Sequence, residues 1–205
     1  DTLTNVDNNL FVTSEVTNGG VEHARLLGTH AANVGFVNSD TAYFATHSED
    51  AFASEPAYEL YGLANLNDSE LEIAVLADSG INSIADLAGK RVVVGTPASS
   101  ASTMGWTVLG TYGLTDKDVK GSELSIAEGV EALKNGDVDC VFIFSAAPNS
   151  ALTELSVTKD FKLLSIDEEN QKAAIEQHSY ISTATLSADL YTSTSEDTTT
   201  RAMPT

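Results

Sequence analysis

Short apolar runs alternate with helix-period stretches along this chain, and turns of small residues separate them. Leu10–Val16 reads as a strand broken by Asn18–Gly19–Gly20, and Val21–Leu27 as a helix with Val21, Ala24 and Leu27 or Gly28 on one face. Val34–Val37 is the next predicted strand, and Asn38–Ser39–Asp40 caps a short helix over Thr41–Thr46. Residues 47–57 are polar and read as a loop. Tyr61–Leu66 and Leu71–Ala77 read as strands, with Asn67–Asp68–Ser69 as the turn between them. Ser83 and Asp86 have capping-box spacing, and Gly89 closes the short helix they open.

Three consecutive valines, Val92–Val94, then form a short buried strand. Gly95 and Pro97 break it, and Thr96, Ala98, Ser99, Ser100, Ala101 and Ser102 lead into a helix over Thr103–Leu109. A helix start of this kind presents backbone N–H groups and the positive end of its dipole, so the turn can hold an anion such as a carboxylate. It can equally serve as a plain connection. Ser125 and Glu128 make a second capping box, Ile126, Val130 and Leu133 give that helix its buried stripe, and Asn135–Gly136 ends it. Val138–Phe144 is apolar on both faces, which predicts a central, parallel strand. Ser145–Ala146–Ala147–Pro148–Asn149–Ser150 follows as a third strand–turn–helix junction. Phe161–Ile166 reads as a strand, Asp167–Gln177 as a helix, Ile181–Leu186 as a weak strand, and Tyr191–Thr205 as an extended Thr/Ser-rich tail. This rhythm predicts an α/β fold with a parallel sheet, in which ligands sit beyond the carboxyl ends of the strands.

Charge narrows the partners. The 205 residues carry 30 acidic and 10 basic side chains, a net charge of −20, a field that repels nucleic acid and anionic membranes. A surface adapted to high salt and an acidic secreted protein both fit that balance. There is no apolar stretch of about 18 residues, so no membrane insertion is expected of this chain. The single cysteine, Cys140, excludes an internal disulfide. His23, His30, His47 and His178 show no H-x-x-x-H spacing, and no zinc signature is present, so neither metal nor cofactor is expected. No G-x-S-x-G elbow occurs. Ser156–Lys159 matches S-x-x-K without its companion motifs, and no catalytic set emerges. None of the ten Lys and Arg falls in the three turns, so an anion there would be held by backbone N–H groups and hydroxyls.

Thr17–Asn18–Gly19–Gly20–Val21–Glu22–His23–Ala24–Arg25–Leu26–Leu27 resembles the T-G-G-S-V-E-N-x-R-L-L segment of TAXI-type solute-binding proteins, the extracytoplasmic receptors of one branch of the TRAP transporters. Residues 31–40 are similar to their A-D-x-G-x-V-Q-S-D run, and 77–92 to the D-S-G-I-x-S-x-x-D-L-x-G-K-R-V run shared by type II periplasmic binding proteins. The turn after the valine strand resembles V-G-x-P-G-S-G-T-E, Phe142–Pro148 an F-x-x-x-x-x-P segment, and Glu196–Pro204 the E-D-V-x-T-V-A-V-P ending. Gly20, His23, Asn33, Ala98, Ser100, Ala101 and Ser102 depart from the family residues at their positions.

The resemblance implies a type II periplasmic-binding-protein-like fold of two α/β lobes joined by a hinge: 1–78 for the first lobe, 79–178 for the second, and 179–205 returning to the first. Family members begin with a G-T-G-bearing strand and end with further helices that this sequence does not contain, so the first lobe is expected to be incomplete. The implied function is capture of a small carboxylate resembling glutamate or 2-oxoglutarate, outside the cytoplasm, for the membrane components of a TRAP transporter. No export signal opens this chain. Implied ligand contacts are Asn18, Gly19, Gly20, Ser39, Asp40, Thr96, Ala98, Ser99, Ser100, Ala101, Ala147 and Pro148. Asp40 fits two roles, meeting a ligand ammonium or capping its own helix. A surface antigen or ligand sensor on the same fold is the alternative. An enzyme would need a basic cluster or catalytic pair that is not apparent.

Overall fold

The computed structural model describes residues 12–204 except Val16, Asn18, Gly19, Ala98 and Ser179. Of the strand expected over Leu10–Val16, Leu10, Phe11 and Val16 lie outside the described residues, and Val12–Glu15 are irregular. The chain divides into two compact units, Asp1–Tyr61 and Gly62–Thr205.

The first unit is built on two helices, α1 (Gly20–Gly28) and α2 (Ser39–His47), followed by a 3-10 turn over Asp50–Phe52. Among its described residues Ala24, Ala45 and Phe52 form the buried apolar cluster, with Val21, Val37, Phe44, Tyr58 and Leu60 packed around them. Phe52 lies in the stretch whose polarity predicts a loop: the 3-10 turn drives its ring inward. Arg25 lies over that ring, 5.3 Å from its centroid, and donates to Glu55 at 2.7 and 2.9 Å. The strand expected over Val34–Val37 does not form. Val34 and Phe36 are exposed, and among the described residues the unit offers no strand for them to pair with. An apolar run becomes a strand only where a neighbour takes its backbone groups.

The second unit contains a seven-stranded sheet of order β3-β2-β4-β1-β7-β6, with β5 also pairing β1. The strands are β1 (Asp68–Leu76), β2 (Arg91–Val93), β3 (Lys120–Ser122), β4 (Cys140–Ser145), β5 (Phe161–Leu163), β6 (Ser182–Leu186) and β7 (Thr198–Pro204). Four helices join them: α3 (Ser100–Thr111), α4 (Ile126–Asn135), α5 (Ser150–Thr158) and α6 (Glu168–Gln177). Both capping boxes form as expected. Asp86 accepts from the Ser83 amide and hydroxyl, and Glu128 does the same for Ser125.

The sheet is mixed, where the alternation of elements predicts a parallel one. β2 runs parallel to β3 and β4, but β1 is antiparallel to β4, β5 and β7, and β6 to β7. Burial on both faces specifies a central position and leaves direction open. β1 is that centre. One of its edges takes β4, and β7 and β5 divide its other pairings between its amino-terminal and carboxy-terminal ends. The tail strands β6 and β7 join this sheet through β1. Tyr61–Leu66, expected as a strand, is irregular, with Tyr61, Leu63 and Leu66 exposed.

Apolar layers cover both faces of the sheet. Leu71, Ile73, Val92, Val94 and Phe142 pack with Met104, Val108 and Leu109 of α3 on one face. Ala74, Val93, Val141 and Ile143 pack with Val130 and Leu133 of α4 and Leu152 and Leu155 of α5 on the other. Each such buried side chain contributes about 1.5–3 kcal/mol relative to exposure.

Candidate functional site

Two of the three strand–turn–helix junctions lie in the second unit, and the sheet brings them to one edge. β2 and β4 are parallel neighbours, Val92 beside Cys140 and Val93 beside Val141, so their carboxyl ends and following turns emerge together. At the opposite end the pair is fixed by Asp139, which accepts from the Arg91 amide at 2.8 Å and from its guanidinium at 2.6 and 3.1 Å. Those Arg91 hydrogen bonds hold the Asp139 carboxyl below its usual range.

After β2 the backbone turns at Gly95, whose φ is +99°. A side chain there would be obstructed, since its Cβ would fall 2.8 Å from that of Ala101 and 3.2 Å from the Ser102 amide nitrogen. Ser99 caps α3. Its hydroxyl donates to the Thr96 carbonyl at 2.7 Å and accepts from the Ser102 N–H at 3.1 Å. Ser100 and Ala101 make up the first turn, and Ala98 lies outside the described residues. From Ser99 to Ser102 no side chain is larger than serine, so a ligand can approach the positive end of the helix.

The turn after β4 is arranged differently. The Ala147–Pro148 peptide is cis, and Asn149 caps α5 by accepting from Ala151 N–H at 2.9 Å. Two carboxylates of β1 stand behind it. Because β1 is antiparallel to β4, with Glu70 opposite Ser145, its amino-terminal end meets the carboxyl end of β4. Glu70 accepts from the Ala147 amide at 3.2 Å. Glu72, one step inward on the same face, is wholly buried. It accepts from the Tyr191 hydroxyl, which in turn accepts from Asn149 N–H at 2.6 Å. Burial raises the Glu70 carboxyl, against the Ala147 hydrogen bond. Burial pushes Glu72 up to about 7, with the Tyr191 bond opposing and the Glu70 charge adding. The amides of Ala147, Asn149 and Ala151 are thus already accepted from within the protein.

In the first unit, Asn38 is the N-cap of α2, and Ser39 and Asp40 open the helix. A Cβ at Gly20 would lie 3.5 Å from the Thr41 hydroxyl, so the starts of α1 and α2 adjoin. Asp40 is buried and accepts from the Thr41 amide at 2.5 Å and its hydroxyl at 3.1 Å. Asn18 and Gly19 lie outside the described residues.

The model of the NMT1-like family matches residues 2–205. The chain belongs to the NMT1-like family. Its fold is that of the periplasmic aliphatic sulphonate binding protein SsuA from Escherichia coli, to which it is similar with 19% identity and a TM-score of 0.57 over 80% of this chain and 49% of that one. It is also similar to the alkanesulfonate-binding protein SsuA from Xanthomonas axonopodis pv. citri, with 22% identity, a TM-score of 0.45 and coverage of 73% and 48%. This NMT1-like chain therefore spans about half the length of these solved structures. The fold class, α/β of the type II periplasmic-binding kind, agrees with the sequence reading.

Gly95, Glu70, Glu72, Asn149 and Tyr191 join the site from outside the sequence-derived set. Glu70 and Glu72 carried a signal in the period-2 pattern Glu-Leu-Glu-Ile of β1, which reads as one wet face; packing of α5 and Tyr191 over that face buries Glu72. Tyr191 has no local signal, since its partner is over a hundred residues away. Among the described residues, no group of three or more His, Cys, Asp or Glu could hold a metal ion, and no helix is long and apolar enough to cross a membrane.

Proposed function

We propose that this chain is the ligand-capturing part of an extracytoplasmic solute-binding protein that takes a small organic anion and delivers it to a membrane transporter. The observation that carries the reading is the paired β2 and β4 edge, where the start of α3 is lined by small residues. Thr96, Ser100 and Ala101 hold the acid group there through amides and hydroxyls, Ser99 holds the turn in shape through its bonds to Thr96 and Ser102, and Ala147 and Pro148 shape the neighbouring wall. Gly20, Ser39 and Asp40 are the proposed contacts of the first unit. Among the described residues no nucleophile, general base and anion-binding set converges, and the reading is of binding without turnover. The T-N-G-G-V-E-H-A-R-L-L segment favours TRAP-type membrane components and a carboxylate of the glutamate or 2-oxoglutarate kind.

A second anion class has its own support. The sulphonate-binding protein of E. coli shares this fold, and a sulfonate suits the same amide and hydroxyl donors. Melting the chain with glutamate, 2-oxoglutarate, succinate and ethanesulfonate separates the cases. A carboxylate that raises the midpoint supports the first reading, a sulfonate alone the second. If none does so, anion capture by this chain fails. A bulky Ser100→Phe change should abolish whichever shift is seen.

A further inference from the structure

Glu72 is, among the described residues, the one carboxylate with no exposed surface at all. Successive β1 residues alternate between the two apolar layers, so Leu71 and Ile73 enter one and Glu72 enters the other beside Ala74. In that layer Ile143 is its partner across the strand pair, and β5, α4 and α5 supply Phe161, Val130, Leu152 and Leu155. The ionisable groups that face it are Glu70 on its own strand and Tyr191 from the 187–197 segment. The described ion pairs join Arg25 to Glu55, Arg91 to Asp139 and Lys134 to Glu131, all elsewhere. Its Oε2 has no hydrogen-bond partner among the described residues. An ionised carboxylate so placed costs far more than a neutral one, so the acid form is favoured.

We propose that Glu72 is a positioning residue buried in its acid form, and that loss of its proton reshapes the Asn149 turn at the start of α5 through the Tyr191 hydroxyl. Tyr191 is the link because it makes both contacts, donating to Glu72 Oε1 and accepting from Asn149 N–H. Its ring meets Phe161 edge-on, centroids 5.3 Å apart, so the hydroxyl stays between the two partners. In the acid form, Oε1 accepts from Tyr191 and Oε2 bears the proton. When that proton passes to solvent, the Tyr191 bond becomes charge-assisted and its oxygen a stronger acceptor. The chain from Asn149 through Tyr191 to Glu72 tightens and draws the turn toward β1. Glu70, holding the Ala147 amide in the same turn, then faces a second negative charge. One proton thereby acts on both arms of the turn.

The test is a pH titration of the full chain, labelled with 13C and 15N, between about pH 3.5 and 8.5, a range that spans the ordinary glutamate value. The Glu72 carboxyl carbon should titrate near neutrality, and the Asn149 amide should inflect at the same midpoint. Glu70→Gln should lower that midpoint by removing a like charge. Glu72→Gln should leave the Asn149 amide flat. In Tyr191→Phe the carboxyl should still titrate while Asn149 no longer follows. A Glu72 carboxyl that titrates in the ordinary glutamate range overturns the proposal, and the wild-type chain alone reads this. So does an Asn149 inflection that persists in Glu72→Gln, or one absent from the wild type.

Discussion

Gly95 lies directly against Ala101: an alanine at position 95 would set its Cβ 2.8 Å from the Cβ of Ala101, at a backbone φ of +99°. The turn after β2 is therefore folded back onto the first turn of the helix it feeds. Gly95→Ala should destabilise the protein by about 1–3 kcal/mol from the backbone conformation alone, and should also weaken any anion-induced melting shift. Urea unfolding with and without glutamate measures both. An unchanged unfolding midpoint would mean that the turn relaxes without cost.

Ser99 joins that turn to α3 by hydrogen bonds in both directions. Replacing it with alanine removes the acceptor for the Ser102 amide and should cost about 1 kcal/mol. Ser99→Asp should restore most of the stability, since a carboxylate also caps. It should nonetheless repel an anionic ligand, so stability and binding separate in this one variant. Thermal melting with and without ligand reads the two effects.

The pH profile of stability should fall at both ends, for opposite reasons. Glu72 is pushed up to about 7 from 4.5, so the folded chain keeps a proton that the unfolded chain has released. Its contribution is full below about 4.5 and is lost as pH rises through about 7. Asp139 and Asp167 are held low, by Arg91 and by the Tyr112 hydroxyl respectively. Their contributions are present above 3.8 and are lost as pH falls through the lowered values. The melting midpoint should drop between about pH 4.5 and 7, and Glu72→Gln should flatten that limb. An equal drop in the variant would assign it to other groups.

Arg201, in β7, is wholly buried. One terminal nitrogen donates to the carbonyls of Asn170 and Gln171, while its Nε and Nη1 have no partner among the described residues. Burial pulls the guanidinium down to about 10. A buried cation without a carboxylate is costly, and an unbranched apolar side chain fills similar space. Arg201→Met should raise the unfolding free energy by about 1 kcal/mol or more, seen as a higher urea midpoint. A lower midpoint would show that the two carbonyl contacts outweigh the desolvation.

Local chemistry was legible in the sequence and long-range burial was not. Ser83 with Asp86 and Ser125 with Glu128 announced their helix starts because a capping box is complete within four residues. The apolar runs Val34–Val37 and Tyr61–Leu66 failed as strands because a strand needs a neighbouring edge, which no local pattern supplies. Thr198 and Thr200 belong to the tail that reads as extended, yet both are buried: β6 pairs with them on one side, and the Thr200 hydroxyl donates to the Leu71 carbonyl of β1. For the site, the small residues of Thr96–Ser102 stood out at once. The carboxylates behind the neighbouring turn did not, since Glu72 looks solvated until Tyr191 closes over it.

Cys140 sits where β2 and β4 register, fully buried, with its thiol pKa raised by burial. As the lone sulfhydryl of the chain, it serves as a built-in clock for opening of the sheet. A maleimide can alkylate it only in molecules whose central strands have parted. The labelling rate in native buffer, divided by that of the unfolded chain, then gives the opening equilibrium of this sheet. A bound anion that clamps the β2 and β4 edge would slow the clock, even if the melting temperature did not move.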